Sequence, residues 1–385
     1  MKPRMKFLIL LTVMLVMPAG LAAQKAGIRL DNQLSSWINV NLADTVRWQG
    51  GLRYIPVLSP YWQTGENSKL DAELSVKSWG NLAFSGFNYD SADYSLKPYR
   101  LWLRYTTSNL EIRAGLQKIN FGSALVFRPL MWFDKMDFRD PLQLTDGVYA
   151  LLGRYYFNNN VNIWLWGLYG NENPKGWEAA PSITDIPEYG GRFQIPLPRG
   201  EMALSYHHRD ADYSGLLAGM PMITESRFTE QLFGIDGKWD LGIGLWVEYV
   251  RKLNEKDNPL MGRWESYFSL GADYTFPLGN GLNVTSEYFR YANVPDEGEQ
   301  EAKRNLVTLS LNYPLSVTHN LSGVVYYNID AEEWYRFINF QLSYDYLSIY
   351  LMAYWNPDNP AAGSGSEQGS LFSGKGFQLM FVLDI

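Results

Sequence analysis

The chain ends with the sequence KGFQLMFVLDI, residues 375–385, in which every second residue is apolar. In a β-strand, alternate side chains point to the same face of the sheet. The residues that share this apolar face are Phe377, Leu379, Phe381, Leu383 and Ile385. A domain in water seldom ends on such a stripe, because chain termini are usually poorly ordered. The ending therefore favours a strand that completes a barrel in a membrane.

The same period of two recurs along the chain from residue 29 onward. Leu30, Leu34 and Ile38 occupy even positions, while polar residues fill most of the odd positions between them. Alternation of this kind predicts strands that are apolar on one face. Residues 69–89 keep a single phase, which favours one long strand over a hairpin that turns at Gly80-Asn81. The next strand is expected to run from Leu96 to Thr106.

Short turns and long polar connections alternate strictly along this pattern. Short turns are expected at residues 196–200, 240–242, 277–281, 314–319 and 345–347. Long connections are expected at residues 171–187, 211–227, 253–262, 293–302 and 357–374. In outer-membrane barrels the periplasmic turns are short and the extracellular loops are long, whereas a β-sandwich carries its apolar face inside. We therefore predict an all-β fold, a transmembrane antiparallel β-barrel of about 18 strands, with 16 as the alternative.

The N-terminal residues 1–23 have the order of a secretory signal peptide. Lys2, Arg4 and Lys6 precede a short apolar run, and small residues follow before Gln24. Cleavage is expected before Gln24, or one position earlier after Ala22. Residues 24–385 would then form a single barrel domain, which the cell exports to its outer membrane.

Composition excludes several classes of protein. The chain contains no cysteine, so neither disulfide bonds nor thiolate metal sites are available. The net charge of −7 argues against a nucleic-acid partner, because phosphates require a basic surface. The 26 Tyr and 14 Trp residues are a surplus that suits the two interfaces of a membrane.

One segment departs from the alternation. Residues 113–147 read RAGLQKINFGSALVFRPLMWFDKMDFRDPLQLTDG and follow no regular period after the first few positions. Long connections of this kind are usually functional or disordered, and the high aromatic content argues against disorder. We predict that residues 120–146 fold into the barrel lumen or cap it. Phe127, Trp132 and Phe138 are expected to hold the loop against the wall.

The candidate pore-lining residues lie in this loop and on the strands beside it. An arginine that faced lipid near the bilayer centre would cost about 2–4 kcal/mol, so the strand charges are expected to face inward. The charged loop residues are expected to neutralise one another or to pair with Glu111. The candidates are Arg100, Arg104, Glu111, Arg113, Arg128, Asp134, Lys135, Asp137, Arg139, Asp140 and Arg154. They either pin the loop as a polar network or form a constriction that sorts solutes.

The run HHRDAD, residues 207–212, is the one stretch that resembles an enzyme site. His207 and His208 point to opposite faces of a strand, so only one of them can enter a given site. We expect a solvated rim here rather than catalysis. Because the chain also lacks a phosphate-binding glycine loop, an HExxH pair and a GxSxG elbow, we predict no enzyme activity, no cofactor and no metal.

Across the whole mature chain, the signal peptide, the alternating strands and the final strand resemble Gram-negative outer-membrane porins. The segments RAGLQKINFG, RPL, RDPLQLTDG and GRYYF are similar to porin-like barrels of Bacteroidetes and, more distantly, to barrels of the alginate-export type. Porins typically end in an aromatic residue, and Ile385 departs from that pattern.

The resemblance implies passive diffusion of small hydrophilic solutes or oligosaccharides. The implied partners are outer-membrane lipid, lipopolysaccharide and the barrel-assembly machinery, and the oligomeric state is left open. The alternatives are a hydrolase at the barrel rim and a barrel for export or for scaffolding other envelope proteins.

Overall fold

The computed structural model describes residues 25–42, 46–136, 140–218, 226–255, 262–294, 302–357 and 372–385. The signal peptide expected at residues 1–23 lies outside this part of the chain, as do Asp137, Phe138 and Arg139. No helix within the described residues is long and apolar enough to cross a membrane. The described residues form β-strands and one helical turn, α1.

The elements are β1 (Lys25–Asn41), β2 (Arg47–Gly65), β3 (Ser68–Ser85), β4 (Asn88–Thr106), β5 (Leu110–Gln117), β6 (Val148–Tyr156), β7 (Asn162–Leu168), β8 (Glu188–Leu197), β9 (Gly200–Asp212), α1 (Ser214–Leu217), β10 (Arg227–Asp240), β11 (Gly244–Asn254), β12 (Trp264–Phe276), β13 (Leu282–Val294), β14 (Ala302–Pro314), β15 (His319–Asn328), β16 (Glu333–Ser343), β17 (Leu347–Trp355) and β18 (Lys375–Asp384).

The strands form one closed antiparallel sheet. Each strand pairs with its neighbours in sequence, and β1 pairs with both β2 and β18. At the closing seam, Val40 lies opposite Phe377 and Gln33 lies opposite Asp384. The prediction of an antiparallel barrel is confirmed, with 18 strands rather than 16. Closure leaves the barrel wall as one continuous hydrogen-bonded sheet.

The two faces of the wall differ as the period of two predicts. Ile28, Leu30 and Ile38 of β1 are exposed on the outer face, whereas Ser35 and Asn39 of the same strand are buried on the inner face. In β18, the aromatic residues of the C-terminal stripe are likewise exposed on the outside. The apolar band thus surrounds the barrel, and most polar side chains point into its interior.

The connections separate by length between the two ends of the barrel, with exceptions. One end carries only short turns, at residues 66–67, 107–109, 157–161, 198–199, 241–243, 277–281, 315–318 and 344–346. The other end carries the longest connections, at residues 118–147, 169–187, 213–226 and 356–374. Strict alternation was wrong, because three connections at this second end are short: residues 42–46, 86–87 and 329–332.

The single long strand expected at residues 69–89 is present, but it ends earlier. β3 runs to Ser85, and the chain reverses through Gly86, whose φ of 59° is readily available only to glycine. β4 then begins at Asn88, well before the strand start expected at Leu96. The Gly80-Asn81 pair lies in the middle of β3, so the prediction that it forms no turn is confirmed.

Candidate functional site

The described part of the connection between β5 and β6, residues 118–136 and 140–147, lies inside the barrel and is fixed there by a glutamate of β11. Glu248 accepts hydrogen bonds from the backbone N–H groups of Ser123, Ala124 (2.7 Å) and Leu130 (3.1 Å). A side chain at Gly122, where φ is 99°, would collide with the same carboxylate. The loop therefore wraps closely around the end of Glu248, and glycine permits that approach.

A second glutamate, Glu287 of β13, holds the next stretch of the loop in the same way. Its carboxylate accepts hydrogen bonds from the backbone N–H groups of Leu125 (2.6 Å), Val126 (2.9 Å) and Phe127 (3.0 Å). The indole of Trp246 donates another at 3.0 Å, which orients the carboxylate. Because a carboxylate can accept several hydrogen bonds, each glutamate satisfies donors that would otherwise be buried without partners.

These contacts define the path of the loop across the lumen. Its ends join β5 and β6, whereas its tethers are on β11 and β13, well round the barrel in the order of the strands. The segment between them must therefore cross the interior. The loop narrows the space that a wall of 18 strands would otherwise enclose as an aqueous channel.

Apolar packing supports the loop from the wall. The loop residues Phe121, Phe127, Leu130, Trp132 and Phe133 are buried. They form one cluster with inner-wall side chains, which include Val148, Ala150, Leu152, Trp166, Leu168, Val250 and Phe289. The inner wall was expected to be polar, and at these positions it is apolar, because the loop covers it instead of water. Phe127 lies 5.3 Å from Phe289 between ring centroids, as expected of a loop side chain held against the wall.

The charged loop residues are placed unequally. Arg128 pairs with Asp134 at 3.5 Å, and both side chains are almost fully buried. The Arg128 guanidinium also donates to Asn120 Oδ1 at 2.8 Å and to the backbone carbonyl of Phe121 at 3.1 Å. Lys135 is half-buried and has no ion-pair partner among the described residues. The Arg128–Asp134 pair therefore connects two residues of the loop and does not attach the loop to the wall.

The C-terminal end of the loop is attached to β3 and β4 through Asp146, Lys77 and Lys97, a contact that we call the clip. Asp140 is buried and accepts a hydrogen bond from the Leu142 backbone N–H at 3.0 Å. Asp146 binds the Lys77 ammonium at 2.7 Å and the Lys97 ammonium at 2.5 Å. Burial alone would raise the pKa of Asp146, but these two cations hold it below its usual range.

Arg100 belongs to this clip, although we expected it beside the other strand arginines. Its guanidinium donates to the backbone carbonyl of Thr145 at 2.9 Å and to that of Tyr99 at 2.7 Å. Near the other end of the loop, burial lowers the pKa of Lys118, Asp134 opposes that shift, and Arg128 and Arg100 add to it. Cations from wall and loop thus converge where the loop leaves the barrel wall.

The remaining strand candidates form an arginine cluster on the inner face of β4, β5 and β6. Glu111 lies at its centre, 2.7 Å from Arg113, 3.6 Å from Arg154 and 3.9 Å from Arg104. Arg104 also binds Asp71 at 2.6 Å. Glu73 of β3 also interacts with Arg104 and Arg113, and Lys69 lies 3.6 Å from Asp71. Four cations therefore face three carboxylates, which leaves a small positive excess.

The arginine cluster remains accessible from the lumen. The side chain of Arg104 is 28% exposed, and those of Arg113 and Arg154 are 14% and 15% exposed. The Nε atoms of Arg113 and Arg154 are buried and have no hydrogen-bond partner among the described residues, so only the outer ends of these guanidinium groups reach the lumen. The guanidinium of Arg154 stacks 3.8 Å from the ring centroid of Trp164, which holds it flat against the wall. The arrangement can therefore bind an anion that enters the lumen.

A second network on β8 to β12 was not anticipated. It joins the loop at residues 169–187 to the wall through Lys175, which binds Glu188 at 2.9 Å and Glu178 at 3.0 Å. The pairs Arg209–Glu230 and Lys252–Glu265, both at 2.7 Å, continue it along the inner wall. All of these side chains are almost fully buried, so the network braces the wall and is closed to solutes.

His207 belongs to that network, and the expectation of a solvated rim was wrong for it. The ring is 1% exposed, lies 3.1 Å from Glu188 Oε2 and accepts a hydrogen bond from the Trp166 indole at 3.2 Å. Phe133 of the loop meets it edge to face at 5.0 Å. His208 points to the opposite side of β9 and stacks on Tyr189 at 4.8 Å. The opposite directions of His207 and His208 were correctly predicted, but the loops that cover His207 could not be foreseen.

The structure thus places most of the described candidates in two groups, one that holds the loop and one on the inner wall. Arg128, Asp134 and Asp140 stabilise the loop, and Arg100 clips it to the wall. The arginine cluster of Arg104, Glu111, Arg113 and Arg154 lines accessible lumen. Glu248 and Glu287, the two tethers, were missed, although their positions in the alternating pattern of β11 and β13 mark them as inward-facing carboxylates.

Comparison with known proteins shows the fold. No family model matches the chain, and no curated protein sequence matches it either. Among solved structures, it is similar to OccD3 (OpdP) of Pseudomonas aeruginosa, with a TM-score of 0.54 and 11% identity over 95% of this chain and 93% of that one.

Two further structures agree. OccAB4 of Acinetobacter baumannii has a TM-score of 0.53 and 8% identity, and covers 95% of this chain and 99% of its own. The anion-selective porin from Comamonas acidovorans has a TM-score of 0.52 and 11% identity, with 94% and 100% covered. The chain therefore has the barrel fold of outer-membrane porins.

Proposed function

We propose that this protein is an outer-membrane channel through which small hydrophilic solutes diffuse passively. The observation that carries the proposal is the loop at residues 118–147, which Glu248 and Glu287 tether across a closed 18-stranded barrel. A tethered loop narrows the lumen without closing the wall. Such a barrel would pass solutes of limited size and exclude larger ones.

The arginine cluster would influence which solutes pass. Counted with Lys69 and Glu73 beside it, its cations outnumber its carboxylates by four to three, and the Arg104 side chain is 28% exposed to a passing anion. In a narrow passage with low-dielectric walls, such an excess attracts anions and repels cations. The candidates Lys135, Asp137 and Arg139 remain proposed lining residues of the loop.

The proposal also includes the location of the protein in the outer membrane. Residues 1–23 would be a cleaved signal peptide, and residues 24–385 would form the barrel domain. The exposed apolar outer face suits outer-membrane lipid and lipopolysaccharide. The C-terminal stripe would be the signal for the barrel-assembly machinery. Within this proposal, the chain is a porin-like barrel of the Bacteroidetes type, with a more distant relation to alginate-export barrels.

We propose no catalytic role for the HHRDAD run. His207 is enclosed by Glu188, Trp166 and the loop, and His208 lies on the other face of the strand. A substrate at the rim could not reach His207, which favours the channel over a rim hydrolase. Nothing specific in the described residues favours an export or scaffold barrel.

Ion selectivity in planar bilayers tests the proposal. In a KCl gradient, replacing Arg113→Gln and Arg154→Gln together should shift the reversal potential toward cation permeability, because the positive excess is removed. Arg251→Gln is the matched control, since this arginine stacks on Trp264 on the outer face of β11 and is exposed. A wild-type protein that carried no current would refute the channel, whereas unchanged selectivity in the double variant would refute the role of the arginine cluster.

A further inference from the structure

The inner wall on the other side of the barrel from the arginine cluster is polar but uncharged near the short-turn end. It is built by β14, β15 and β16. We call it the neutral wall and define it as Asn312, Asn320, Ser322, Asn339, Gln341 and Ser343. The described residues 310–312, 320–324 and 339–343 contain no charged side chain at all. This part of the inner wall thus carries no charge of its own among the described residues.

Strand register places these side chains together on one face. Asn312 lies directly opposite Ser322, which lies opposite Asn339 on the next strand. Asn320 lies opposite Gln341. Residues that are directly opposite in an antiparallel pair point to the same side of the sheet. Five of the six side chains therefore form two neighbouring rows on these strands, and Ser343 lies two residues beyond Gln341 on β16.

Exposure along these strands indicates that the neutral wall borders open space. Farther from the short turns, the inner positions Thr308, Tyr335 and Phe337 are buried. Nearer the short turns, the residues of the neutral wall are all half-buried. The inner surface thus changes from packed to accessible along each strand. Solutes that passed the loop would meet the neutral wall on one side and the arginine cluster on the other.

The hydrogen bonds within the neutral wall leave capacity for a ligand. Asn320 Nδ2 donates to Asn312 Oδ1 at 2.7 Å. Gln341 Nε2 donates to Ser343 Oγ at 2.8 Å and to the Tyr350 hydroxyl at 3.4 Å. Each amide carries two N–H donors and a carbonyl that can accept two hydrogen bonds, so these bonds use only part of what is available. Oδ1 of Asn339 is buried, so the free capacity lies mainly with the amides of Asn312 and Asn320. The wall therefore offers both donors and acceptors in fixed positions.

We propose that the neutral wall is a subsite for neutral saccharides, an inference that rests on the proposed channel function. A sugar hydroxyl both donates and accepts hydrogen bonds, as the amides of the wall do. Uncharged partners avoid the large cost of removing a charge from water. A solute without hydroxyl groups would leave the amides poorly paired, so the site discriminates against it. Saccharides present many hydroxyls in a small volume and match this surface.

Blockade of ionic current through the purified full-length protein tests the subsite. Maltotriose and a poly(ethylene glycol) of similar size are added separately to planar bilayers that contain the wild-type channel. Maltotriose should interrupt the current at lower concentrations than the polymer does, because only the sugar can satisfy the amides through many hydroxyls. Equal potency of the two probes in an open channel would overturn the subsite and leave the channel proposal intact.

Substitutions that preserve side-chain volume then locate the effect. Asn339→Leu combined with Gln341→Met should weaken maltotriose blockade roughly tenfold, since a few modest hydrogen bonds are lost, and should leave the polymer's effect unchanged. Thr308→Val is the control, because Thr308 is on the same inner face but is fully buried. Undiminished maltotriose blockade in the double variant would contradict the proposal. If that variant does not fold, the wild-type comparison of the two probes still decides. Absence of any current in the wild type would instead contradict the channel itself.

Discussion

At the scale of residues, Glu248 and Glu287 decide where the loop lies. Each carboxylate accepts hydrogen bonds from three backbone N–H groups of residues 123–130. These bonds take the place of hydrogen bonds to water, which the buried main chain cannot make. Glutamine can accept only at its carbonyl, and its NH₂ group would face N–H donors. We expect Glu248→Gln and Glu287→Gln each to destabilise the folded barrel by about 1–3 kcal/mol, the usual cost of unpaired buried donors.

Urea unfolding of the purified protein in detergent measures this loss. Glu201→Gln is a suitable control, because Glu201 is exposed near a short turn and bonds only to the Gln194 side chain among the described residues. Equal unfolding midpoints for Glu248→Gln and the wild type would show that the loop does not depend on this carboxylate.

The adjacent histidines provide a second comparison of single residues. His207→Ala removes partners from Trp166 and Glu188 and leaves a gap beside Phe133. We expect it to lower the unfolding free energy by about 2 kcal/mol or more, while His208→Ala should change it little. The same urea titration checks both variants. A variant His207→Ala as stable as His208→Ala would mean that the buried network contributes nothing to the fold.

The sequence predicts the direction of these side chains but not their partners. The period of two correctly places Arg104, Glu111, Arg113 and Arg154 on the inner face, since an arginine in lipid would be costly. It says nothing about Glu248, because its partners are backbone N–H groups, which every residue except proline carries. The burial of His207 likewise depends on loops that are distant in sequence.

At the scale of elements, the end of the loop is joined to the long hairpin β3–β4 by one carboxylate between two ammonium groups. Because Lys77 and Lys97 hold the pKa of Asp146 below its usual range, the interaction stabilises the fold at pH values above the ordinary pKa of an aspartate, about 3.9. That stability is lost as pH falls through the depressed pKa of the folded state. We expect the wild type to lose more stability between pH 7 and pH 3 than Asp146→Asn does.

Unfolding midpoints at the two pH values check this difference, with Asp185→Asn as a control at an exposed carboxylate outside the clip. Added salt should reduce the difference, because Asp146 is 58% exposed and its interactions are partly screened. A wild type and an Asp146→Asn variant with identical pH dependence would argue against the clip.

Strands in which apolar and polar residues alternate strongly could be predicted from the sequence, but the residues at which the strands begin and end could not. β18 pairs along its whole apolar stripe, as residues 375–385 indicate. The start of β4 was misplaced, because residues 88–96 are mostly polar and exposed, so no apolar face marks them as a strand. The short connection at residues 329–332 was missed because it reverses the chain without a long polar segment.

At the scale of the whole molecule, the barrel follows from local pattern repeated many times. Alternating strands that are apolar outside can bury their backbone groups only by closing on themselves. The packing inside the barrel depends instead on contacts between the loop and the inner wall. The apolar inner positions Leu152, Trp166 and Leu168 break the expected polar lining, and they make sense only once the loop is seen to cover them. A sequence pattern cannot show which loop covers which wall.

The central claim is that the loop inside the barrel sets the width of the channel. The measurement that tests it most directly is the single-channel conductance of the wild type against a variant in which residues 124–141 are replaced by a short glycine link. Heat-modifiable migration on gels confirms that the variant has folded. We expect a clearly larger conductance for the deletion, because a wall of 18 strands alone encloses a wide aqueous channel. A folded deletion variant with the conductance of the wild type would contradict the account.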